Sequence, residues 1–172
     1  MIASLEGQKK KVLLIEDSVG IRKSTTRLLE LANYDVVAAS NGREGVELAI
    51  SEIPDIIICD VTMPELDGYG VLHLLNKNPV TSSIPFIFLT AKFERSDFRK
   101  GMEMGAEDYI TKPFNDVELL NAIETRLKKK ELLRKEFTDN MDGINDFLNQ
   151  VNTTTNASNF TENREVKFFR KK

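Results

Sequence analysis

Apolar residues in the first two-thirds of the chain fall into short unbroken runs, separated by longer amphipathic stretches. Val12-Leu13-Leu14-Ile15, Ile56-Ile57-Ile58-Cys59 and Phe86-Ile87-Phe88-Leu89 show no polar alternation. That is the pattern of parallel strands buried on both faces. Together with two weaker runs they predict strands at 12–17, 34–39, 56–60, 86–90 and 108–112. Helical spacing in the gaps predicts helices over 19–32, 43–52, 68–77, 96–104 and from 117 onward. Ser18 can cap the first helix, Asn41-Gly42 turns into the second, and Asn115 caps the fifth. Pro54, Pro79 and Pro85 lie between elements, where a missing amide donor costs little.

Strict alternation of strand and helix implies right-handed crossovers and a parallel sheet covered on both sides. The fold class is therefore α/β. It is a five-stranded doubly wound sheet, expected in the flavodoxin-like order 2-1-3-4-5, with an extended C-terminal helix. In such sheets ligands bind outside the C-terminal strand ends. The first run delivers Glu16 and Asp17 there, the third Asp60, the fourth Thr90, and the fifth Lys112 just before Pro113. Three acids, a hydroxyl and a lysine converging on one sheet edge suit acyl-phosphate chemistry with a divalent metal.

Composition narrows the class without naming it. The chain has 172 residues, enough for one domain of ordinary size plus an appendage. No apolar run approaches the roughly 20 residues that span a bilayer, and no signal-peptide pattern opens the chain, so a cytoplasmic location is expected. Cys59 is the single cysteine and reads as a small core residue. The net charge of −3 is uneven: residues 128–172 hold ten Lys/Arg against seven Asp/Glu, leaving the main body acidic. An acidic body lacks the clustered basic face of a nucleic-acid binder, so direct nucleic-acid binding is not expected of it. His73, the lone histidine, reads as a surface position on the third helix.

Four stretches carry a resemblance. Val-Leu-Leu-Ile-Glu-Asp-Ser (12–18), Ile-Ile-Ile-Cys-Asp-Val-Thr-Met-Pro-Glu-Leu-Asp-Gly-Tyr (56–69), Phe-Leu-Thr-Ala-Lys (88–92) and Gly-Ala-Glu-Asp-Tyr-Ile-Thr-Lys-Pro-Phe (105–114) occur in order at matching strand ends. Over roughly residues 10–127 the chain resembles the receiver domain of two-component response regulators. The resemblance implies Asp60 as acceptor of a phosphoryl group from a sensor histidine kinase. It implies Mg²⁺ held by Glu16, Asp17, Asp60 and the backbone carbonyl of Thr62, two residues past the acceptor. It gives Lys112 and Thr90 contacts with phosphoryl oxygens, and it makes Thr90 and Tyr109 a switch in which the ring turns inward as the hydroxyl moves. Lys92, two past Thr90, would flank the path of the hydrolytic water. Beyond slow self-dephosphorylation no enzymatic activity is implied.

This divides the chain into a disordered N-terminus (1–10), a receiver (11–127), an extended helix (128–151), and a linker opening a possible further domain (152–172). Three-four spacing through Leu120, Ile123, Leu127, Lys130, Arg134, Phe137, Met141, Ile144, Leu148 and Val151 predicts a coiled-coil seam and a homodimer, the alternative being a single amphipathic helix folded onto its own receiver. Lys130, Arg134 and Gly143 interrupt it. The polar run at 152–159 has loop composition, and Val166-Lys167-Phe168-Phe169 begins something strand-like. The arrangement is similar to regulators in which a receiver precedes a Crp-type, cyclic-nucleotide-binding-like domain, and the expected output is transcription. The alternatives are a stand-alone receiver acting through protein contacts, an aspartate-dependent phosphatase of the haloacid dehalogenase kind, and a flavodoxin-like cofactor binder. The phosphatase reading wants an acid where Thr62 stands, and the cofactor reading leaves the acid cluster unused.

Overall fold

A computed structural model describes the backbone of residues 9–91 and 95–165, and the side chains of 9–91 and 99–150. The chain divides into two units, 1–129 and 130–172. The first unit alternates as expected: β1 (Lys11–Ile15), α1 (Val19–Leu31), β2 (Asp35–Ala39), α2 (Gly42–Glu52), β3 (Ile56–Asp60), α3 (Gly68–Asn76), β4 (Phe86–Thr90), α4 (Arg95–Glu103) and β5 (Asp108–Thr111), with α5 starting at Asp116. The five strands pair in parallel in the order β2-β1-β3-β4-β5.

Why the runs lack polar alternation is visible in the packing. In β1, Leu13 and Ile15 face one layer with Ile57, Cys59, Phe86 and Phe88, against Ala49 of α2 and Val71, Leu72 and Leu75 of α3. Val12 and Leu14 face the other with Ile56, Ile58, Ile87 and Leu89, against Leu29 of α1 and Leu119 and Ile123 of α5. Both faces of the central strands are dry, and each fully buried aliphatic side chain contributes about 1.5–3 kcal/mol. Cys59 is a buried free thiol, with burial holding its pKa well above the usual thiol range, and His73 is exposed.

The helix starts follow local chemistry. Asn41 Oδ1 accepts from the amide of Glu44 at 2.9 Å, and Asn115 Oδ1 from that of Glu118 at 2.7 Å. Ser18 occupies the N-cap of α1, but its side chain makes no cap hydrogen bond, a correction to the sequence expectation. Instead the guanidinium of Arg22 donates back to the carbonyls of Glu16 at 2.6 Å and Asp17 at 3.1 Å, holding the chain into α1 from inside the helix.

Two expectations for the tail change. Helix α5 runs Asp116–Glu165, through the 152–159 stretch expected as a loop. No Gly or Pro follows Gly143 before Glu165, and Thr, Asn and Ser cost a helix only a few tenths of a kcal/mol to about 0.7 kcal/mol each. The proposed seam also does not begin at Leu120. Ile123 is fully buried and Leu120 and Leu127 half-buried, all packed in the layer with Val12, Ile58 and Leu89. The expected disordered N-terminus falls largely in 1–8, and the strand-like segment in 166–172, so both lie outside the described residues.

Candidate functional site

Parallel pairing brings the C-terminal ends of β1, β3, β4 and β5 to one edge. Ile15 is level with Cys59, Asp60 with Leu89, and Thr90 with Thr111. One step past each register sit the residues expected to do chemistry. Glu16, Asp17 and Asp60 each offer a carboxylate oxygen within 4.8 Å of the others. Asp17 is exposed, whereas Glu16 and Asp60 are 1% and 5% exposed. Lys112 reaches between the two buried acids, with Nζ 2.5 Å from Glu16 Oε2 and 2.9 Å from Asp60 Oδ1. It follows directly from the tip of β5, whose direction is set by the Lys112 amide donating to the Thr90 carbonyl at 2.6 Å. The Lys112–Pro113 peptide is cis.

The electrostatics follow from that geometry. Burial raises the pKa of Glu16, the hydrogen bond and charge of Lys112 lower it, and Asp60 raises it again, leaving it above the usual carboxylate value. Burial draws the Lys112 ammonium down, but its hydrogen bonds to Glu16 and Asp60 and their charges outweigh this and leave it raised. The lysine therefore stays charged and neutralises part of a cluster that would otherwise repel itself. Three carboxylates, one open to solvent, form the hard-oxygen donor set that Mg²⁺ takes while keeping several waters. The donor chemistry fits the metal.

The rest of the expected set is placed as follows. Thr90 is buried at the tip of β4, beside the acceptor strand, and Thr62 is exposed in the loop after β3. That loop folds back through Glu65, at φ 65°, and closes where the Gly68 amide donates to the Val61 carbonyl at 2.9 Å. A Cβ on Gly68 would meet the Asp60 carbonyl oxygen at 2.5 Å, so only glycine lets α3 start this close to the acid. Tyr109 is not at the edge. It lies in the buried layer beneath, its ring 5.4 Å from that of Phe88 and its hydroxyl 2.8 Å from that of Tyr69. Lys92 lies outside the described residues.

Sequence reasoning missed three contributors: Arg22, Tyr69, and a groove of about 740 Å³ beside the site. The groove is floored by Ile21, Leu28 and Leu31 of α1 with Pro113 and Phe114, and reaches Ala91 and Lys112. Ile21 and Leu28 share a helical face, a signal visible in the sequence, but Phe114 sits 86 positions from Leu28 and only the fold joins them.

The chain belongs to the response regulator receiver domain family, whose profile matches residues 12–124. It is 40% identical over 127 residues to the probable transcriptional regulator ycf27 of Porphyra purpurea, covering 74% of this chain and 51% of that protein. It is 38% identical over 123 residues to the alkaline phosphatase synthesis transcriptional regulatory protein PhoP of Bacillus subtilis, covering 72% and 50%. The chain thus spans about half the length of these regulators. Protein PilH of Pseudomonas aeruginosa is 38% identical and is covered over 97% of its length. Among solved structures, the chemotaxis protein CheY4 of Vibrio cholerae superposes with a TM-score of 0.66 at 30% identity, covering 69% of this chain and 98% of that one. The signal receiver domain of a histidine kinase from Syntrophus aciditrophicus gives 0.65 at 37%, covering 70% and 91%.

Proposed function

We propose that this chain is a phosphorylation-dependent response regulator that takes a phosphoryl group from a sensor histidine kinase onto Asp60. The observation that carries this reading is the cluster of Glu16, Asp17 and Asp60 with Lys112 bound between the two buried acids. In the transfer, an Asp60 oxygen forms the new P–O bond while the donor's P–N bond breaks and its imidazole leaves. A carboxylate is a weak nucleophile, so catalysis is positioning and charge neutralisation. Glu16, Asp17, Asp60 and the Thr62 carbonyl would hold Mg²⁺, which supplies positive charge to the phosphoryl oxygens when bound. Lys112, already paired to Asp60, swings its ammonium to a phosphoryl oxygen, and Thr90 donates its hydroxyl to another. The groove along α1 gives a phosphodonor an apolar approach ending at Lys112 and Ala91.

The response passes from Thr90 to Tyr109 and out to the α4–β5–α5 surface, a biased two-state element. Homology to transcriptional regulators supports transcription as the output, and a cytoplasmic location agrees with it. Among the described residues no helix is long and apolar enough to cross a membrane. The exposed heptad positions Phe137, Met141, Ile144 and Leu148 support a seam between two copies of the chain.

Beryllofluoride with Mg²⁺ tests the reading. The protein should bind it stoichiometrically, and acetyl phosphate should label Asp60. Asp60→Asn should lose both, because the amide neither attacks phosphorus nor binds the metal well. Undiminished labelling of that variant would remove Asp60 as the acceptor.

A further inference from the structure

The hydroxyls of Tyr69 and Tyr109 lie 2.8 Å apart in a buried position, and each residue is 8% exposed. They come from different elements, Tyr69 from the first turn of α3 and Tyr109 from β5. Phe88 packs with both rings, at centroid distances of 5.0 Å and 5.4 Å. Lys100 of α4 holds its ammonium 4.2 Å over the Tyr69 ring, closing that side with a cation–π contact. Gly101 presses the cluster from α4, since a Cβ there would stand 3.2 Å from both Phe88 and Tyr109. The inward position of Tyr109 is thus a shaped seat with a polar contact at its end.

The seat is tied to the acid site by a short path. Tyr69 directly follows Gly68, whose amide donates to the Val61 carbonyl and where a Cβ would meet the Asp60 carbonyl oxygen at 2.5 Å. The backbone carrying Tyr69 is therefore fixed to the loop after Asp60 by a hydrogen bond and a close approach. Tyr109 is reached from the same acid by a second route, through Thr90 and the neighbouring strand.

We infer that Tyr69 is a positioning residue for the aromatic switch: its hydroxyl latches Tyr109 in the inward seat and links that seat to the Asp60 loop through α3. The inference deepens the proposed phosphorylation switch and rests on it. Two inputs then reach Tyr109. One comes through Thr90 and sets the space above the ring, and the other comes through Gly68 and Tyr69 and holds its hydroxyl. By linkage, whatever favours the inward ring also tightens binding of a phosphoryl mimic that needs it.

Tyr69→Phe, Tyr109→Phe and the double variant test this on the full chain. Two readouts are needed: beryllofluoride affinity in Mg²⁺, and the nuclear Overhauser contact between the Tyr109 ring and the Gly101 α-protons. Tyr69→Phe should weaken beryllofluoride binding about two- to tenfold, the effect of one net hydrogen bond, and should weaken the ring contact. In the Tyr109→Phe background the Tyr69 change should have no further effect. Equal losses in both backgrounds, or an unaltered ring contact in Tyr69→Phe, would overturn the latch. If the wild type binds no beryllofluoride, the phosphoacceptor reading fails, and the ring contact in the unmodified variants still decides the latch either way.

Discussion

Helix α5 carries one apolar periodicity and meets two different fates along it. Leu119 and Ile123 are fully buried against the sheet layer of Val12, Ile58 and Leu89, and the docking is braced by Arg126, whose guanidinium bonds Asp108 at the start of β5 at 2.9 Å. Further on, Phe137 is 68% exposed, Ile144 53% and Leu148 51%. Spacing alone cannot separate the halves, because a helix repeats its apolar face whether a sheet, a second helix or water covers it. A three-four pattern reports which face is apolar. It does not report what lies opposite.

The sharpest way to break this comparison is a matched pair of truncations. Ile123→Ala should cost about 2–5 kcal/mol in urea unfolding, since it opens a cavity in a closed layer. Ile144→Ala should change unfolding of the dilute protein by under about 0.5 kcal/mol, as expected of an exposed site. At high concentration its effect should grow if the distal stripe pairs between copies, because association adds to stability by mass action. A large and concentration-independent loss from Ile144→Ala would show the distal half covered by its own chain.

The same contrast explains what could be read in the sequence. The alternation of elements and the acid edge are legible because unbroken apolar runs ending at a polar residue are local signals, and β3 and β4 match their expected bounds residue for residue, while the strand order follows from the doubly wound class rather than from any local run. The contacts that assemble the site are not legible, because they join distant positions. Lys112 meets Glu16 across 96 residues, and Tyr69 meets Tyr109 across 40. Arg22 carries no such signal, because an arginine in the first turns of α1 does not show in sequence that its guanidinium will bond backbone carbonyls. The start of the seam is ambiguous in sequence, because Leu120 and Leu127 satisfy a heptad and a sheet-facing stripe equally well. The polar 152–159 stretch has loop composition yet continues α5, because poor helix propensity without Gly or Pro weakens a helix but does not end it.

At the acid edge, Asp17→Asn and Lys112→Ala separate metal binding from response. Asp17→Asn removes a ligand charge and should weaken Mg²⁺ binding tenfold or more, followed by titration of the metal-dependent nuclear magnetic resonance shifts. Lys112→Ala should keep or improve Mg²⁺ affinity, since the ammonium now competes for Glu16 and Asp60, while blunting the response to beryllofluoride. Equal Mg²⁺ affinity in wild type and Asp17→Asn would take Asp17 out of the site.

For the distal half, Met141→Lys with Ile144→Lys places two charges on the stripe. If the stripe pairs two copies, light scattering should show a dimer for the wild type and a monomer for the double variant, with Asp60 labelling retained because the receiver layers lie elsewhere in the sequence. A monomer in every condition, with or without beryllofluoride, would remove the seam.

The smallest expected effect compares two helical glycines. Gly68 stands against the Asp60 carbonyl, whereas a Cβ on Gly143 would meet nothing within 4 Å. Glycine within a helix loses about 0.5–1 kcal/mol relative to alanine through the entropy of the unfolded chain. Gly143→Ala should therefore raise helicity of the distal segment by circular dichroism and strengthen any dimer slightly. The melting of the receiver should not change, because a methyl group at 143 fills open space and leaves the receiver's two apolar layers as they are. If the gain in helix weakens the dimer instead, the glycine is a break that the seam requires.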